Sequence, residues 1–86
     1  MKFEITRHAQ EEMDRREIPS TIVDTILQNP QQIVDEYGNK KAYQSIFALG
    51  TGKYYLVRVI VNDTVMPGKV VTVYKTSKIQ KYWREP

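Results

Sequence analysis

Residues 54–61 read Tyr54-Tyr55-Leu56-Val57-Arg58-Val59-Ile60-Val61. Aromatic and β-branched residues fill seven of these eight positions if leucine is counted with them, the composition of a strand. The run is too short for a buried helix, and Gly50-Thr51-Gly52 before it and Asn62–Gly68 after it are turn and loop material. It is the strongest strand in the chain and the reference for the segments around it.

Upstream, Ala42–Leu49 alternates, with Tyr43, Phe47 and Leu49 on one parity, and joins residues 54–61 through the glycine turn. Gln31–Tyr37 supplies a weaker strand, separated from it by the turn Gly38-Asn39-Lys40-Lys41. Downstream, Val70–Thr76 is the last long strand. Successive strands joined by short connections predict an antiparallel meander.

The N-terminal third has a different texture. Residues 2–5 alternate enough for a short strand. Thr6 is a good N-cap, and residues 7–16 hold no Gly, Pro or β-branched residue, which predicts a helix with Ala9 and Met13 facing the core. Pro19 breaks the chain and Ser20 is placed to cap a second helix, in which Ile22, Val23, Ile26 and Leu27 form an apolar stripe stopped by Asn29-Pro30. At the other end, Ser77 is placed to cap a final turn that spaces Ile79, Tyr82 and Trp83 at i, i+3, i+4. The expected fold is α+β: two N-terminal helices packed on one face of a four-stranded antiparallel sheet, with a short C-terminal helical tail.

The chain has 86 residues, so a single domain over 1–86 is expected, too small for a deep substrate cavity. Cysteine is absent and there is one histidine, which removes disulfides, thiol nucleophiles and Cys/His zinc sites. Glycine-rich phosphate loops, G-x-S-x-G and metal-type carboxylate clusters are absent too, so no cofactor and no metal are expected. No apolar run reaches membrane-spanning length and no signal peptide is visible, so a soluble cytoplasmic protein without membrane contact is expected. The net charge of +3 hides a split: residues 1–36 carry four basic and eight acidic groups, net −4, and residues 37–86 carry nine basic and two acidic, net +7. A basic sheet half is the footprint of a polyanion partner, or ordinary surface charge.

His8, the one side chain with an unperturbed pKa near neutrality, lies with Glu12 and Arg15 at i, i+4, i+7, and Arg16 sits at their edge. This is an acid–base candidate beside cations, or a mixed-charge surface helix. Arg58, on an otherwise apolar strand, either lies at a solvated edge or binds phosphate through its fork. Its company depends on register. If Val61 pairs with Val70, Arg58 shares a face with Val71, Val73 and Lys75. A slip of one residue puts it with Tyr74 and Thr76 instead.

The string Thr6-Arg7-His8-Ala9…Met13-Asp14-Arg15-Arg16-Glu17-Ile18, the Asn29-Pro30 stop and the ending Val71–Thr76…Lys81-Tyr82-Trp83 resemble domain-of-unknown-function family 4258. That family's pattern reads H-A-x-x-R-M-x-x-R-G-I. His8, Ala9, Met13, Arg16 and Ile18 match it, while Glu12 replaces an arginine and Glu17 replaces the glycine. The family resembles an outlying branch of the RelE–barnase–colicin group of metal-independent ribonucleases. The resemblance implies attack of an RNA 2′-hydroxyl on the adjacent phosphate, with His8 as acid or base and Arg16 as a phosphate clamp. Arg58, Lys75 and Thr76 join them as catalytic candidates on the residue reading alone. Three functions are therefore open: a toxin-type RNA-cleaving domain with an antitoxin-like protein partner, a non-catalytic RNA- or ribosome-binding module, and a protein-interaction domain.

Overall fold

The computed structural model describes residues 2–50 and 52–85. In chain order the elements are β1 (Phe3–Ile5), α1 (Arg7–Arg15), α2 (Ser20–Gln28), β2 (Gln32–Asp35), β3 (Lys41–Leu49), β4 (Lys53–Asn62), β5 (Gly68–Thr76) and α3 (Ile79–Tyr82). The strands form one sheet in the order β1-β5-β4-β3-β2. The β2–β5 meander is antiparallel throughout, as the short connections dictate.

The four-stranded antiparallel sheet expected from the sequence is corrected to a five-stranded mixed one. Phe3–Ile5 pairs in parallel with Gly68–Val70. Three alternating residues do not announce their partner, and this one lies 65 positions away along the chain. The chain then stays on the same strand: Val70 O accepts hydrogen bonds from both Thr6 N (3.2 Å) and Thr6 Oγ1 (2.8 Å). Thr6 Oγ1 also accepts from Ala9 N (3.1 Å), the N-cap bond expected of it.

At its other end α1 closes in a left-handed turn. Ile18 N donates to Met13 O (2.9 Å) and Glu17 N to Asp14 O (3.3 Å), the paired bonds of a Schellman motif, and Glu17 sits at φ +55°. Met13 and Ile18, which this turn brings together, are both buried. Two caps differ from expectation. Pro19, not Ser20, occupies the N-cap of α2, and Lys78, not Ser77, that of α3, each without a side-chain cap bond.

Both α1 and α2 pack on one face of the sheet. Ala9, Met13, Ile18, Val23 and Ile26 form a core with Val57, Val59, Val61, Val70 and Val73. Val70 and Val73 lie three apart, an odd spacing that would point them to opposite faces of a regular strand. A bulge resolves this. Val61 pairs with Val70 but Ile60 pairs with Thr72, so Val71 is the extra residue. Each register considered from the sequence therefore holds on one side of the bulge, and Arg58 ends opposite Tyr74. At the β3–β4 turn Gly50 and Gly52 have φ of +70° and +87°, the left-handed geometry that glycine tolerates. Thr51, between them, lies outside the described residues.

The second face of the sheet carries Ala42, Gln44, Leu56, Arg58 and Ile60, all buried, with the C-terminal segment lying over Arg58. Among the described residues no helix is long and apolar enough to cross a membrane.

Candidate functional site

The residues singled out from the sequence separate onto two faces. On the helix side, Glu12 is the centre of a row along α1. His8 Nε2 lies 3.7 Å from Glu12 Oε1, Arg16 Nη1 lies 3.3 Å from Glu12 Oε2, and Arg15 Nη2 pairs with the same oxygen. The hydrogen bond from Arg15 is the main cause holding the Glu12 carboxyl below its ordinary range. Partial burial opposes it, and the charges of Arg15, Arg16 and His8 assist. His8 itself is well exposed, with 64% of its side chain in solvent. Arg16 also donates from Nη1 to Val73 O (2.8 Å), so its guanidinium is pinned to the β5 backbone two residues before Lys75.

Lys75 pairs with Val57 across β4 and so points to the helix side. There it meets Tyr55: Lys75 Nζ is 5.6 Å and Lys53 Nζ 5.5 Å from the centre of the Tyr55 ring. Both distances fall within cation–π range. Lys75, Tyr55 and Lys53 thus gather toward one end of the sheet, with the tyrosine half-buried, and Arg16 is anchored two residues before Lys75 along β5. Lys53 did not stand out in the sequence, and Tyr55 stood out only as one of five strand tyrosines that could pack or stack a base. The available signal was their spacing of two on a strand, which puts both on one face, but the lysine that completes the group comes from β5.

On the opposite face Arg58 is 2% exposed. Its Nε donates to Gln44 Oε1 (2.7 Å), and its Nη1 donates to Tyr74 OH (2.6 Å) and pairs with Glu36 Oε1 (3.2 Å). The Tyr82 ring from α3 covers the guanidinium at 4.4 Å. Burial raises the Tyr74 hydroxyl pKa, against the lowering effect of the Arg58 hydrogen bond. Every fully buried side-chain nitrogen and oxygen among the described residues has a partner. Thr76 pairs with Leu56, so it belongs to Arg58's face, where its Oγ1 accepts from Lys78 N (3.0 Å).

His8, Arg16 and Lys75 therefore lie on the helix side, Arg58 and Thr76 on the other, with the sheet between them. The five do not form one constellation, because α1 packs on the odd-numbered face of β4 and Arg58 points from the even-numbered one.

Fold and site together describe a small α+β domain with a cationic, aromatic end to its sheet and a helix, α1, whose Arg16 is tied to the β5 backbone. The chain belongs to the family Domain of unknown function (DUF4258), whose pattern matches residues 5–75, from the end of β1 almost to the end of β5. Neither the curated proteins nor the solved structures contain a match.

Proposed function

We propose that this domain binds single-stranded RNA at the end of the sheet where Lys53, Tyr55 and Lys75 gather. The observation that carries the reading is the Tyr55 ring flanked by two ammonium groups at 5.5 and 5.6 Å. A base offers a π-face and its backbone offers phosphates, so an aromatic ring between cations suits both parts of a nucleotide. Arg16, held at the Val73 backbone two residues before Lys75, adds a further positive charge on the helix side, and the net charge of +7 over residues 37–86 supplies attraction at longer range.

Fluorescence anisotropy with a labelled oligoribonucleotide over a salt series tests this. Log affinity is expected to fall with log salt at a slope of about −0.7 for each cation engaged on a phosphate. Lys53→Ala and Lys75→Ala each flatten that slope by about the same amount. Tyr55→Leu, which keeps an apolar side chain against Phe47, costs about 1–3 kcal/mol of binding with the slope unchanged. Affinity independent of salt, or wild-type affinity in Tyr55→Leu, refutes the assignment.

RNA cleavage of the toxin type is a second reading, favoured by His8 standing 3.7 Å from the Glu12 carboxylate on the same helix as Arg16. It predicts metal-independent cleavage in EDTA that is lost in a folded His8→Ala protein, and growth arrest on expression without an antitoxin-like partner. Intact RNA after incubation with the wild-type protein leaves binding alone.

A further inference from the structure

We propose that the C-terminal segment is a displaceable lid over a second, latent site for a phosphate group, centred on Arg58 on the face of the sheet opposite α1. An arginine that is 2% exposed is unusual in so small a domain. A buried ion pair is also a poor way to gain stability, since well-packed apolar residues commonly do as well.

The lid is slight. Helix α3 spans four residues, contains no buried residue and has no side-chain cap bond. A helix this short has little stability of its own. It also lies beyond the family-matched segment, which ends at Lys75. Its hydrogen bonds to the sheet run through its backbone groups. Tyr82 O accepts from Gln44 Nε2 (3.2 Å), Arg84 O accepts from Gln32 Nε2, and Arg84 N donates to Gln32 Oε1 (3.1 Å). The Tyr82 ring covers Arg58 and meets the Tyr74 ring edge-on, with centroids 6.2 Å apart.

Carbonyl oxygens of the segment thus occupy donors that stand in a row with Arg58. Gln32 pairs with Gln44 across β2 and β3, and Gln44 pairs with Arg58 across β3 and β4. When the segment lifts, the amides of Gln32 and Gln44, the guanidinium of Arg58 and the hydroxyl of Tyr74 face solvent together. Oxygens of a phosphate can then replace those of the backbone. Glu36, one-third exposed, is the competing anion and must swing away from Arg58 Nη1 for phosphate to bind in its place.

The experiment uses the full chain, with inorganic phosphate as the probe and Trp83, the only tryptophan, as the reporter of the segment. Tyr82→Ala removes the ring from Arg58 and raises the open fraction, so phosphate binds about tenfold more tightly than to the wild type. Phosphate also shifts Trp83 emission toward that of an exposed indole. Adding Arg58→Met to Tyr82→Ala abolishes the gain. Should that double variant fail to fold, amide exchange of the wild type decides. The amides of Lys81 and Trp83 are expected to exchange faster than those of β4, and faster still with phosphate present. Unchanged phosphate affinity in a folded Tyr82→Ala protein, a gain that survives loss of Arg58, or segment amides as protected as β4 overturns the proposal.

Discussion

Glu17 is the place where one substitution is expected to stabilise this domain. Its φ of +55° lies in the left-handed region, and it occupies the residue after the C-cap of α1, where helices usually place glycine. An L-residue with a side chain loses roughly 1–2 kcal/mol there. Glycine avoids that cost but gives up more backbone freedom on folding, about 0.5–1 kcal/mol. Removing a carboxylate from the negative end of a helix dipole returns a further ~0.3 kcal/mol or more. Glu17→Gly should therefore stabilise by about 1 kcal/mol, which for a domain of this size raises the melting midpoint by roughly 4–8 °C. Urea and thermal unfolding followed by circular dichroism would measure it, with the denaturant slope expected to stay constant. Glu17→Ala separates the two contributions, because it removes the charge and keeps the left-handed side chain. It should recover only the dipole part. If Glu17→Gly is no more stable than Glu17→Ala, the conformational argument is wrong and the Schellman turn is not strained.

Thr6 caps α1 and ties it to β5, so Thr6→Ala should cost about 1–2 kcal/mol while Thr6→Ser retains most of that, read from urea midpoints. Arg58→Ala should destabilise by about 2–4 kcal/mol, since it strands Gln44 Oε1 and empties the space beneath Tyr82. Arg58→Met, which refills that space, should cost clearly less in the same assay. Glu12 has a folded-state pKa below its ordinary 4.5, so its contribution is present above the unfolded value and is lost as pH falls through the lowered one. Glu12→Gln should therefore flatten the acid limb of stability below about pH 4.5, and an unchanged acid limb would show that the α1 charge row is not coupled to folding.

Local features were legible because their causes are local. Thr6 caps, Pro19 separates the helices and Asn29-Pro30 ends the second. The alternation in residues 42–49 and the apolar run at 54–61 set two of the three interior strands. The α1 charge row was legible for the same reason, since i, i+4 spacing puts His8, Glu12 and Arg16 together in any helix. The replacement of the family's glycine by Glu17 was visible too, but its meaning required the backbone angle.

What the sequence by itself determined is the set of elements, their order, and the helix-side stripe that makes this an α+β layer pair. Those follow from periodicity and capping within a few residues of each position. Tertiary structure alone decided three things. It placed β1 beside β5, a pairing of residues 65 apart that no local pattern encodes. It inserted the bulge at Val71, which lets Val70 and Val73 share a core and sets Tyr74 against Arg58. And it divided the cations between two faces, sending Lys75 to Tyr55 and Arg58 beneath Tyr82. Each rests on which strand lies alongside which and in what register, and a shift of one residue there turns every side chain to the other side of the sheet.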